Sequence, residues 1–266
     1  MSNDEIKFIR EILKSFSPKL LFCLNWQELL FSFFRNGKRA LKKTRYLTFE
    51  NHFKTEDFLF LINKKNGLEP LNLEALSREE RELFYRKIVK LYFTQFFREG
   101  PLYFHFLERF FYTSNSSDLL FWKPLKGFES GVVLDELFRK GLVELYTGLY
   151  EDNQSLTTKG LIKMGLLNEL GDSFQTSERE REIKKHEELL SIVDNHFGVN
   201  TKDYNFNLNH LSLTMEKMIS FITKYKVKLD SNFFILGLCL TSLYLCLKEN
   251  EKGLNLDEIF LEASSL

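Results

Sequence analysis

Residues Gly131 to Gly165 read GVVLDELFRKGLVELYTGLYEDNQSLTTKGLIKMG, and the folding of this stretch decides how the rest of the chain is read. Val132, Val133, Leu137 and Phe138 recur at near-helical spacing, which predicts a short helix with one apolar face. Arg139 and Lys140 followed by Gly141 match a helix stop, with cations beside the terminal carbonyls and then a residue that tolerates left-handed backbone. Leu142 to Tyr146 then predicts a short strand, Gly148 with Glu151-Asp152-Asn153 a turn, and Ser155-Leu156 the return strand. Thr157 or Thr158 is the expected N-cap of the next helix.

Helix, strand, turn, strand, helix is the order of a winged helix. The string LDELFRKGLVE…LTTKG resembles the helix–hairpin–helix part of the MarR-like and PadR-like regulators, over residues 131–165. The resemblance implies a mainly α, multi-helix protein with an embedded winged-helix-like unit carrying a short two-stranded hairpin. Its contact face would comprise Asp135, Glu136, Arg139, Lys140, Glu151, Asp152 and Lys159. In those families the helix before the hairpin enters the major groove and the wing touches phosphate or the minor groove, which calls for cations. Here Asp135 and Glu136 offset Arg139 and Lys140, and the wing tip carries Glu151 and Asp152 with no Lys or Arg between Thr147 and Ser155. Two functions therefore stand side by side: docking to another protein in a regulatory or assembly role, and DNA binding as a transcriptional regulator.

Composition narrows the setting. A chain of 266 residues holds one large domain or two modest ones, and 37 basic against 37 acidic residues predict no strong general attraction to nucleic acid or membrane. Twenty-eight phenylalanines with only four prolines favour long helices packed through aromatic layers, although codon bias explains the same count. Three cysteines, Cys23, Cys239 and Cys246, without a CxxC, predict reduced, buried thiols in a cytoplasmic protein. The opening MSNDEIKFIREILK lacks the pattern of a signal peptide.

Three regions follow from the pattern: a Phe-rich helical region (1–117), the winged-helix-like unit (118–171) and a C-terminal helical region (172–266), and packing of the first and last as one compact body is compatible with it. In the first region, amphipathic and uncharged helices are expected over Asp4–Leu21 and Leu20–Phe34, and a short helix over Thr55–Leu61. Arg35, Lys38, Arg39, Lys42, Lys43 and Arg45, uninterrupted by acid, form the strongest local charge feature and a candidate surface for a polyanion or an acidic partner. Ser77 and Glu80 form a capping box opening a helix towards Phe97, and Leu102–Tyr112 is expected to resume helix. Phe104, Phe106 and Phe110 suggest a third function, an aromatic pocket for a lipophilic small molecule. Thr113–Ser117 is a polar loop, and the best boundary before the winged unit.

In the C-terminal region, Ser177 and Glu180 form a second capping box before a highly charged helix, and Leu211–Tyr225 is amphipathic. Ser231–Leu247 (SNFFILGLCLTSLYLCL) carries no charge; a core or homodimer helix is expected there rather than a membrane anchor, because its length sits at the lower limit for a span and Asn232, Thr241 and Ser242 dilute it. No nucleotide cradle or nucleophile elbow occurs, so no enzyme activity and no cofactor are expected. His186-Glu187 begins a zinc-protease HExxH, but Leu190 stands where the second ligand belongs, and no metal site is expected. His105 beside Glu108 reads as a satisfied core histidine, and His210 has no evident partner.

Overall fold

The computed structural model describes residues 58–60, 68–98, 100–103, 110–113, 116–122, 132–170, 176–197, 203–250 and 252–265. Their elements, in chain order, are β1 (Phe58–Phe60), β2 (Leu68–Pro70), α1 (Arg78–Phe97), β3 (Phe110–Thr113), β4 (Ser116–Trp122), α2 (Glu136–Tyr150), α3 (Gln154–Lys163), α4 (Thr176–Phe197), α5 (Leu208–Tyr225), α6 (Ser231–Leu247) and α7 (Leu256–Ser264). The expected helices and acidic-partner surface that precede residue 58, including Arg35 to Arg45, lie outside the described residues, as do His105, Phe104 and Phe106.

Helix α1 starts where its capping box requires. The Ser77 hydroxyl accepts the N–H of Glu80 at 3.2 Å and the Glu80 carboxylate accepts the N–H of Ser77 at 2.8 Å, satisfying two donors that the helix leaves unpaired. Beyond the cap, Phe84, Ile88, Val89, Tyr92, Phe93 and Phe96 are all buried, making α1 the axis of the core. Its rings meet neighbours edge-on: Phe93 lies 5.4 Å from Tyr146 of α2 and 5.4 Å from Phe260 of α7. Each such side chain contributes about 2 kcal/mol by burial, and the edge-to-face geometry adds about 1 kcal/mol per pair. Outside this layer, Arg86 of α1 bridges Glu258 and Glu262 of α7 at 3.0 and 2.5 Å.

Helix α6 occupies its expected span and is buried within its own chain: Ile235, Cys239, Leu243, Tyr244, Cys246 and Leu247 are core residues. Its hydroxyls are satisfied internally, Thr241 donating to the Gly237 carbonyl and Ser242 to the Cys239 carbonyl, each at 2.8 Å. Phe233, Phe234, Gly237 and Leu245 along it are partly exposed. None of the described helices is long and apolar enough to cross a membrane.

The stretch expected to form a wing is an antiparallel pair of helices. Leu142–Tyr146, the expected strand, lies inside α2, and Ser155-Leu156, the expected return strand, lies inside α3. The glycines explain the difference. A β-carbon on Gly160 would stand 2.5 Å from the Gly141 carbonyl oxygen, and one on Gly148 would stand 2.3 Å from the Thr157 nitrogen. Gly141, Gly148 and Gly160 are thus not stops; they are the places where two helix backbones touch. The Glu151-Asp152-Asn153 turn is real but joins helices, with Asp152 in the left-handed region at φ 52°. Asn153, not Thr157 or Thr158, caps α3 by accepting the N–H of Leu156 at 3.1 Å. The unit ends in a Schellman motif: Gly165, at φ 79°, and Leu166 donate to the Ile162 and Leu161 carbonyls at 2.9 and 3.0 Å. With no hairpin between residues 132 and 165, the winged-helix resemblance fails, and with it both the DNA-binding reading and docking through a wing.

Strands occur elsewhere. The sheet has the order β1-β4-β3-β2, with β1 parallel to β4 and the other pairs antiparallel. Phe58–Phe60 and Phe110–Tyr112, expected to be helical, are strand residues, and Thr113 pairs with Ser116 in the β3–β4 hairpin. Runs of phenylalanine suit a pleated surface as well as a buried helix, so periodicity alone does not separate the two. The lipophilic pocket also loses its one described residue: Phe110 is fully buried, with its ring edge-on to Phe84 at 5.4 Å.

Candidate functional site

The residues assigned to a winged-helix face do not converge. Asp135 caps α2, accepting the N–H of Leu137 at 3.0 Å, while its own N–H donates to Oδ1 of Asn232 at 3.0 Å. Glu136 pairs with Lys140 one turn on, at 2.8 Å. Arg139 donates to the carbonyls of Arg98 and Gly100, placing a cation on the C-terminal end of α1, where carbonyl dipoles favour it. Glu151 and Asp152 stand at the opposite end of α2, about 20 Å away for a helix of this length. Lys159 is exposed on α3.

The groups with the most altered protonation lie inside the core. His196 of α4 is buried, stacks on His210 of α5 at 5.5 Å with rings parallel to 2°, and is hydrogen-bonded through Nδ1 to the Thr214 hydroxyl at 3.2 Å. Burial, with His210 adding to it, lowers the His196 ring to about 3, so it is neutral at physiological pH. Tyr204 donates to the His196 carbonyl at 2.5 Å and shares a hydrogen bond with Tyr244 at 2.6 Å. Burial pushes the Tyr204 hydroxyl up to about 12. Tyr92 and Tyr146 form a second buried hydroxyl pair at 2.7 Å. The first set ties α4, α5 and α6 together, and the second pair ties α1 to α2. His210, without an evident partner in the sequence, gains a stacking partner in His196 when α5 folds back on α4, while among the described residues its buried Nε2 has no hydrogen-bond partner.

Among the described residues a groove opens between α4 and α5. Leu189, Ile192, Val193 and His196 root the C-terminal half of α4 in the core, whereas Thr176 to Arg181, Ile183 and Lys184 are exposed. The helix begins at Thr176, so Ser177 lies in the first turn and is not the expected N-cap. At its root His186, from the zinc-like fragment, is hydrogen-bonded through Nε2 to the Asn168 carbonyl at 3.2 Å, and Lys185 approaches Glu182 at 3.6 Å. Among the described residues no three metal-ligating side chains converge.

The groove encloses about 720 Å³ and is lined by Ser177, Glu180, Arg181, Lys184, Glu187 and Glu188 of α4 with Lys224 and Tyr225 of α5. Lys224 and the Tyr225 hydroxyl both donate to Oε2 of Glu188, at 2.5 and 2.9 Å. The Lys224 hydrogen bond, and then that of Tyr225, holds the Glu188 carboxyl below its usual range, while Glu188 raises the Lys224 ammonium. Lys224 also lies 4.9 Å from the Tyr225 ring centre. The charged run was visible in the sequence; its role as a groove wall was not, because the opposite wall comes from residues 224 and 225. No protein-family model matches this chain, and no curated protein matches it.

Proposed function

We propose that this chain is a non-catalytic docking module that receives a segment of another protein in the groove between α4 and α5. The observation carrying this reading is the overshoot of α4 beyond its packed half. It leaves an exposed helical wall with charges of both signs beside a ready-made second wall at Lys224 and Tyr225. An unsupported helical end of this length is marginal in water, and a partner segment laid along it would bury its stems and pair its charges. His196, Tyr204 and Tyr244, whose ionisation burial disfavours, are enclosed and mutually bonded, which suits a scaffold better than acid–base chemistry on a substrate.

A displayed peptide library selected on the full chain tests this. Binders should lose about tenfold or more in affinity on Lys184→Asp, and little on Lys217→Glu, a charge reversal at an exposed α5 position outside the groove. Peptides that bind both variants alike would place the docking surface elsewhere and refute the proposal.

A further inference from the structure

We infer that α5 joins the α5 of a second copy of this chain, antiparallel, through the side of the helix turned away from the groove. Leu208, Met215, Ile219 and Ile222 recur at intervals of seven, four and three, so they form one apolar stripe down α5. All four are partly exposed, and among the described residues Ile219 is not packed against the core. Lys217 and Lys224 lie across the helix from this stripe, and Lys224 contacts Glu188 of α4, so the stripe and the groove occupy different sides. The apolar surface continues onto α6, where a β-carbon on Gly237 would stand 3.7 Å from Cε of Met215. Phe234 and Gly237 are themselves partly exposed there.

A stripe repeating every 3.5 residues, roughly, is matched by another helix rather than by an extended segment. A second copy meets it in reverse. With a two-fold axis beside Ile219, Met215 of one chain faces Ile222 of the other and Ile219 lies beside its own counterpart, so apolar meets apolar along the seam. Residues next to such an axis meet themselves, and a charge there is repelled by its own copy. The flank of the stripe avoids this: of Asn209, Ser212, Glu216, Ser220 and Thr223, only Glu216 is charged, and it is exposed on the outer edge where solvent screens it. The exposed half of α4, by contrast, carries Glu178, Arg179, Glu180, Arg181 and Lys184. Loss of charge beside an apolar strip is the composition of an interface core. The seam shares no residue with the groove, so the docking role stands or falls separately.

Sedimentation equilibrium of the full chain over a range of micromolar concentrations tests this. The chain should fit a monomer–dimer equilibrium, and Ile219→Lys should weaken the dimer about tenfold or more. Leu261→Lys, at an exposed position of α7 off the seam, should leave it unchanged. Circular dichroism of each variant checks that helix content is retained. In a second measurement, Ile219→Cys treated with a short bismaleimide should yield a covalent dimer, and Lys217→Cys, across the helix from the axis, should not. The unsubstituted chain, with Cys23, Cys239 and Cys246, is the reference for this reaction. A chain that stays monomeric at every concentration overturns the inference and leaves the stripe to a different occupant. A dimer that survives Ile219→Lys, or that crosslinks as readily from position 217 as from position 219, overturns it by placing the interface elsewhere.

Discussion

Two antiparallel helix pairs in this molecule are built on opposite plans. In α2–α3 the backbones touch at Gly141, Gly148 and Gly160, leaving no room for a side chain between them. In α4–α5 the contact is made by side chains, with a buried histidine stack at one end and a charged, open groove at the other. The first pair gains shape complementarity that nothing else can enter. The second leaves part of its surface unsatisfied, and this is where the chain has something to offer a partner. Close backbone packing and ligand access exclude each other, so the glycine-rich pair reads as scaffold and the charged pair as site.

Filling the closed pair should cost the most. Gly160→Ala places a methyl against the Gly141 carbonyl and the Leu145 backbone, both at 2.5 Å, and neither can swing aside. We expect a loss of about 3 kcal/mol, read as a lower urea midpoint. Ser177→Ala in the open groove should change stability by less than about 0.5 kcal/mol. Equal effects would erase the distinction between the two pairs.

The root of α4 should respond to acid. The folded-state pKa of His196 is depressed to about 3, so the fold favours its neutral ring. Its contribution is complete above the unfolded value of about 6.5 and is lost as pH falls towards 3. Between pH 7 and 5 this removes about 2 kcal/mol, at about 1.4 kcal/mol per pH unit. The urea midpoint should fall over that range, and His196→Asn should flatten the fall while lowering stability at pH 7. An unchanged slope in the variant would mean that His196 is not what ties α4 to α5 at this end.

The smallest effect concerns the edge of the groove. Lys226 ends α5 in the left-handed region at φ 52°, donating to Thr223, while Val227 donates to Ile222 at 3.0 Å. Glycine takes this backbone without the β-carbon penalty, so Lys226→Gly should stabilise the chain by about 0.5–1 kcal/mol, raising the thermal midpoint by a few degrees. A loss of stability would show that the Lys226 side chain supports the groove wall in a way its backbone does not explain.

Much of this fold was legible from local chemistry alone. The Ser77–Glu80 box, the helix to Phe97, the amphipathic pattern through Tyr225 and the uncharged span Ser231–Leu247 each carry their own signal in cap, period or composition, and the structure places helices there. The central stretch misled because Gly141 and Gly148 are helix breakers by propensity, worth about 1 kcal/mol each against helix, yet helix formers once another backbone must approach. That approach depends on Gly160, 19 residues beyond Gly141, which no local window weighs. The strands Phe58–Phe60 and Phe110–Thr113 were lost for a related reason: a short apolar run takes its conformation from its neighbours.

By itself, then, the sequence determined that a helix opens after Ser77, that the uncharged span Ser231–Leu247 is helical and that the whole carries no net charge, because these depend on composition and on residues a few positions apart. Tertiary structure alone decided that glycines mark a helix contact, that His196 meets His210, and that Arg181 and Lys184 line a groove closed by Lys224 and Tyr225. Those facts depend on which surfaces meet, and that is settled by packing over the whole chain.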